Sequence, residues 1–76
     1  MKPRTQPDIA FAVKVVRQAR GMSQEQLGKV IQMPHQWVNK VEQGQEPTID
    51  SLQKLAKGLR VSARTLVAIS EARRAA

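Results

Sequence analysis

Apolar residues recur three and four positions apart through most of this 76-residue chain, in short stripes. The first stripe runs from Ile9 to Ala19 and follows the spacing of one buried helical face. No segment shows the strict alternation of apolar and polar residues that a half-buried strand requires. The spacing therefore predicts an all-α protein built from five short helices.

Residues that start and stop helices separate the stripes. Asp8 is the expected N-cap of the first helix, and Gly21 supplies a left-handed stop. The pattern SQEQ at 23–26 is that of a capping box and opens the second helix. Pro34 suits the first turn of the third helix, which is expected to end at Gly44.

The last two helices follow caps at Thr48 and Ser62. The predicted core includes the stripe of the first helix, which is Ile9, Ala12, Val13, Val16 and Ala19. It also includes apolar residues of the second to fifth helices. They are Leu27, Val30 and Ile31, then Val38 and Val41, then Ile49, Leu52, Leu55, Ala56 and Leu59, and finally Leu66, Val67 and Ile69. Since so short a chain buries only about 60% of its unfolded surface, we expect stability to depend on compact packing or on a partner subunit.

Composition excludes several classes of function. The absence of cysteine excludes disulfides, thiolate zinc sites and thiol catalysis. One histidine, no tyrosine and no glycine-rich phosphate loop leave no catalytic constellation, so we expect no enzyme, metal, cofactor or small-molecule ligand. No apolar run approaches the roughly 20 residues of a membrane span, and no signal peptide precedes the helices, so we expect a cytoplasmic protein.

The charge balance points to an anionic partner. Thirteen Lys and Arg against six Asp and Glu give a formal charge of +7. Such a balance favours DNA, RNA, an anionic membrane or an acidic protein. RNA is a weaker candidate than DNA, because one Trp and one Phe provide no platform on which bases could stack.

The third helix, in the stretch MPHQWVNKVEQG (33–44), has an unusual polar face. If Val38 and Val41 face inward, Gln36, Lys40 and Gln43 point nearly opposite to them. The edge between the two faces carries His35 and Asn39. A helix that needs only to be soluble usually carries Glu and Lys, whereas this face offers amides and an imidazole with many hydrogen-bond donors and acceptors.

The stretch SQEQLGKVIQMPHQWVNKVEQG (23–44) resembles the helix-turn-helix of the phage-repressor and Cro-like family, also called the xenobiotic-response-element family. The resemblance covers about residues 9–69. It implies a compact five-helix, lambda-repressor-like DNA-binding domain at 8–70, between a flexible basic arm at 1–7 and a frayed basic tail at 71–76. The family usually has Gly where Gln32 stands, because that turn residue has positive φ, and Ala where Gly28 stands.

The resemblance implies double-stranded DNA as the partner, with no membrane partner, and it suggests roles for individual residues. Base reading is expected from His35, Gln36, Asn39 and Lys40, since amides can pair with adenine and Lys with guanine. Contacts with the DNA backbone are expected from Arg17, Gln24, Trp37 and Gln43. A structural ion pair is expected between Arg17 and Glu42. For Trp37 the alternative is packing over the edge of the core, and for Gln24 it is ordinary solvation at a capping box.

The implied function is that of a sequence-specific regulator. It would repress its own or an adjacent small operon of a prophage, a restriction–modification system, a toxin–antitoxin pair or other phage genes. A homodimer on two half-sites is expected, with an interface of Phe11, Leu66, Val67 and Ile69, next to Val15. The alternative for these apolar residues is that they close the monomer's core. The alternative function is an antitoxin-like module that mainly binds a partner protein.

Overall fold

Five α-helices follow one another in the computed structural model, which describes the backbone of residues 8–75 and the side chains of residues 8–72. They are α1 (Ile9–Ala19), α2 (Gln24–Ile31), α3 (His35–Glu42), α4 (Ile49–Leu59) and α5 (Ala63–Ala75). No strand occurs within 8–75, so the predicted all-α class is confirmed. The predicted arm at 1–7 lies outside the described residues. No helix within the described range is long and apolar enough to cross a membrane.

The predicted starts of α1, α2, α4 and α5 are present, whereas α3 begins at His35, just after Pro34, and has no side-chain cap. The side chain of Asp8 accepts the backbone N–H of Phe11, and that of Thr48 accepts the N–H of Ser51. Both reciprocal hydrogen bonds of the capping box at 23–26 are formed. The Oγ of Ser62 accepts the N–H of Thr65 at 3.1 Å. Local sequence therefore sets where the helices begin, because each cap satisfies backbone donors that the helix itself leaves unpaired.

Two helices end on a non-glycine residue in the left-handed region. Gln32, after α2, has a φ of 60° and Arg60, after α4, a φ of 63°. The sequence predicted the first of these and did not indicate the second. An L-residue in this region is strained by about 1 kcal/mol or more.

The core lies where α1, α2, α3, α4 and α5 meet. Its buried apolar side chains are Ala12, Val13, Val16, Leu27, Ile31, Val38, Val41, Leu55, Ala56, Leu59 and Leu66. Several predicted core residues are not among them. Val30 is 58% exposed and Ile49 is 76% exposed, Ala19 is also exposed, and Leu52, Val67 and Ile69 are half-buried. Helix α2 turns Leu27, Gly28 and Ile31 inward, which rotates Val30 toward solvent. Ile49 lies in the first turn of α4, ahead of the packed part of that helix.

Helix α5 packs against α1 and α4. Leu66 is fully buried in the core, so its prediction as a dimer-interface residue is wrong, and it closes the monomer instead. Ser70 is buried one turn later and donates its hydroxyl to the Leu66 carbonyl at 2.7 Å. The sequence suggested a frayed tail after residue 70. The helix instead continues through residues 71–75, because Glu, Ala and Arg are strong helix formers. The division into arm, domain and tail stays a prediction.

Candidate nucleic-acid interface

Helix α3 has the orientation that its spacing predicts. Val38 and Val41 are both fully buried, and they fix which side of the helix faces the core. The side chains of His35, Gln36 and Lys40 are exposed on the remaining surface, followed by Gln43 just after the helix. The structure thus brings together an exposed patch of two amides, an imidazole and an ammonium group.

Trp37 and Asn39 lie at the margins of that patch. Trp37 is half-buried and packs against the core, which is the alternative that the sequence left open. Asn39 is also half-buried, so it combines contacts inside the protein with a surface that a ligand could reach.

The expected ion pair joins α1 to α3. The Nε of Arg17 lies 2.6 Å from Oε2 of Glu42, and the two side chains are only 11% and 4% exposed. Nη2 of Arg17 donates to Oε1 of Glu42 at 3.1 Å, and Nη1 donates to the Met22 carbonyl at 2.7 Å. Each nitrogen of the Arg17 guanidinium therefore has an internal acceptor, as a structural ion pair requires. The contact of Arg17 with a DNA backbone stays a prediction.

The same carboxylate connects to two further side chains. Oε1 of Glu42 also accepts Nε2 of Gln24 at 3.1 Å. Oε1 of Gln24 in turn accepts Nδ2 of Asn39 at 3.3 Å. Sequence reasoning missed the Gln24–Asn39 contact. The signal available was the three-residue spacing of Asn39 and Glu42, which places both on one side of α3.

Gly28 allows the turn between α2 and α3 to approach closely. A Cβ atom added at this position would lie 2.6 Å from the Met33 carbonyl oxygen and 3.4 Å from the His35 nitrogen. The Met33 N–H donates to the Gly28 carbonyl at 2.8 Å. This glycine therefore positions the start of α3, and with it the first residues of the exposed patch.

A second surface feature lies away from α3. Val30 and Gly58 line both of two adjoining depressions, of about 400 and 230 Å³, between α2, α4 and the end of α1. Cationic residues line them, and no carboxylate does; they are Arg20, Lys54, Lys57 and Arg60. Arg20 also donates to the Leu59 carbonyl at 3.0 Å, which satisfies an unpaired acceptor at the end of α4. We call this feature the α2–α4 groove.

Comparison with known proteins adds the family. A helix-turn-helix family model matches residues 13–72. The structure is similar to the restriction-modification controller protein C.AhdI from Aeromonas hydrophila, with 28% identity, a TM-score of 0.75, and coverage of 78% of this chain and 91% of that one. It is also similar to the wild-type restriction-modification controller protein C.Esp1396I, with 26% identity, a TM-score of 0.80, and coverage of 90% of this chain and 90% of that one.

A third similar structure belongs to a longer chain. An HTH_3 family transcriptional regulator from Vibrio cholerae shares 30% identity with a TM-score of 0.76, over 82% of this chain and 35% of that one. No curated protein sequence matches the chain.

Proposed function

Because the chain belongs to the helix-turn-helix family of DNA-binding transcriptional regulators, we propose that it is a sequence-specific repressor of its own or an adjacent small operon. It binds a palindromic operator as a homodimer in the cytoplasm. Among the operon types considered above, similarity to two restriction-modification controller proteins favours a restriction–modification system.

The observation that carries this proposal is the orientation of α3. With Val38 and Val41 buried, the opposite face is free to enter a major groove, where base edges offer donors and acceptors in fixed patterns. Gln36 can pair bidentately with adenine, and Lys40 can donate to O6 and N7 of guanine. His35 and Asn39 extend the reading surface on either side.

Contacts with the DNA backbone fix the position and orientation of α3 on the duplex in this scheme. Gln24 lies at the start of α2, Trp37 at the margin of the exposed patch on α3, and Gln43 just beyond the end of that helix. These positions surround the reading surface. The net charge of +7 supports association with a polyanion of any sequence, so the exposed face of α3 must supply the specificity.

A homodimer follows from the size of the reading surface. One such helix covers only a few base pairs, and two copies reach half-sites one helical turn apart, about 34 Å. With Leu66 in the core, the proposed interface consists of Phe11 and Val15 on α1 and Val67 and Ile69 on α5. Val15 is 38% exposed, and the other three keep part of their surface exposed.

The test is a binding measurement on the DNA upstream of the operon that encodes the chain, against random DNA of equal length and base composition. The proposal expects salt-sensitive binding with a clear preference for the upstream DNA, and a footprint with two-fold symmetry. Salt-sensitive binding with no preference would reduce the protein to a non-specific polyanion binder.

A protein partner is the second candidate, favoured by the α2–α4 groove. Its apolar floor and cationic rim suit an acidic amphipathic helix of another operon product. Lys54→Glu together with Lys57→Glu should abolish co-purification of such a product from a two-gene expression experiment and leave operator binding intact. Retention of the product by this variant would exclude the groove as its site.

A further inference from the structure

We propose that Gln24 and Glu42 hold the amide of Asn39 in one orientation, and that this makes Asn39 selective for a base with an exocyclic amino group. The proposal rests on the proposed function, since it concerns how the DNA sequence is read. It assigns Gln24 a positioning role beyond a contact with phosphate. It is carried by an unbroken run of hydrogen bonds through Arg17, Glu42, Gln24 and Asn39.

The run begins at a group that can only accept. Paired with the guanidinium of Arg17 at 2.6 Å, Glu42 is a carboxylate and has no proton to donate. Its Oε1 receives Nη2 of Arg17 and Nε2 of Gln24, both at 3.1 Å. Since the Glu42 side chain is only 4% exposed, little water is available to replace either donor.

Each amide then has one permitted orientation. A side-chain amide can be turned by 180° with almost no change of shape, so its donor and acceptor ends are distinguished by their partners. Gln24 must direct Nε2 toward the carboxylate, because its oxygen there would face another acceptor. Its Oε1 consequently faces Asn39, which must direct Nδ2 inward at 3.3 Å. The carbonyl Oδ1 of Asn39 is left as the end directed away from Gln24.

A fixed acceptor distinguishes bases. In the major groove, adenine N6 and cytosine N4 present amino donors, whereas guanine O6 and N7 and thymine O4 present acceptors. Oδ1 of Asn39 therefore favours a base with an amino donor, and adenine most, because the second hydrogen of Nδ2 can donate to adenine N7 at the same time. An Asn39 free to rotate would accept or donate according to the base, and it would discriminate much less.

Gln24→Met is the discriminating variant, because Met keeps the length of the side chain and provides no amide. Binding is measured on an operator library in which each base pair of the half-site is varied in turn. Wild type should prefer an amino-bearing base at one position by roughly tenfold, a size typical of direct readout. In Gln24→Met that preference should fall to about twofold or less, with preferences at other positions unchanged.

Asn39→Ala identifies the position that Asn39 reads. It should lose the preference at the same base pair, and the double variant should lose no more than Asn39→Ala alone, since the two residues act as one unit. Gln53→Met, an exposed substitution on α4, is the matched control and should keep the wild-type pattern. Circular dichroism and thermal melting establish that each variant is folded, and Gln24→Ala replaces Gln24→Met if the latter is not.

Two results would overturn the proposal. One is an equal loss of affinity on every operator in Gln24→Met, which is the result for a residue that contacts only phosphate. The other is a preference that survives in Asn39→Ala.

A measurement without DNA separates this proposal from the proposed function. Wild type should show side-chain amide NMR signals of Asn39 that are displaced from those of a free amide, and Gln24→Met should move them to free-amide positions. Unchanged signals would overturn the orientation mechanism. A wild-type protein without any base preference would instead contradict the proposed regulator function, and the NMR signals would still report whether Gln24 orients the amide of Asn39.

Discussion

Gln32 holds the turn between α2 and α3 in a conformation that glycine adopts more easily, with a φ of 60°. Gln32→Gly should remove this strain, at the cost of a more flexible unfolded chain, and raise the free energy of unfolding by about 0.5–1 kcal/mol. Urea denaturation measures the change in the free energy of unfolding, provided that the dependence of this free energy on urea concentration has the same slope in both proteins. Gln53→Gly, inside α4 where φ is helical, is the control and should lower stability by about 1 kcal/mol. A loss of stability in Gln32→Gly would mean that its side chain stabilises the turn in another way.

Gln36 is an exposed amide on α3, and the proposed function assigns it to direct base reading. Gln36→Ala should cost about 1–3 kcal/mol of binding on the preferred operator and relax the preference at one base pair. The measurement is a titration of single-base-pair operator variants. Lys29→Ala, an exposed change on α2, should leave the pattern of preferences untouched. If both variants weaken binding to all sequences equally, the reading surface lies elsewhere.

At the residue scale, the sequence predicted features that depend on helical phase and local backbone geometry. The burial of Val38 and Val41 and the positive φ of Gln32 are of this kind. Features that depend on how two helices meet could not be read from spacing alone. The hydrogen bond from Asn39 to Gln24 joins residues on α3 and α2. Arg17 takes its acceptors from Glu42 and from the Met22 carbonyl beyond the end of α1.

The ion pair of Arg17 and Glu42 joins α1 to α3. Glu42→Ala would leave the Arg17 guanidinium buried without its counter-charge, and it should lower the free energy of unfolding by about 3 kcal/mol or more. Arg17→Met combined with Glu42→Leu should recover much of this loss, because apolar residues of similar volume remove the buried charges together. Urea denaturation of the single and double variants provides the measurement.

The control for this experiment is an exposed carboxylate. Glu46 lies in the loop before α4, and Glu46→Ala should change stability by no more than about 0.5 kcal/mol. A Glu42→Ala variant as stable as Glu46→Ala would show that water enters and compensates the guanidinium. The ion pair would then help to position α3 against α1 and add little to the free energy of unfolding.

At the element scale, the number, type and starts of the helices followed from apolar spacing and caps. The errors arose where one apolar stripe was compatible with more than one buried face. Helix α2 buries Gly28 against the following turn, where a Cβ would lie only 2.6 Å from a backbone oxygen. That contact rotates the helix and exposes Val30. A period of 3.6 residues shows that a face exists, and only the partner's shape determines which residues occupy its centre.

At the scale of the whole molecule, the chain has a net charge of +7, and the proposed dimer should double the number of phosphates that one bound complex neutralises. Val67→Glu should yield a folded monomer in sedimentation experiments. If a subunit neutralises roughly three to four phosphates, the slope of log K against log salt should be about −5 to −7 for the wild-type dimer and about half that for the variant.

Val30→Glu, equally a Val→Glu change but on the exposed side of α2, should remain dimeric with the wild-type slope. A dimer that persists in Val67→Glu would move the interface away from α5, and an unchanged slope in a monomeric variant would mean that one subunit alone makes the phosphate contacts.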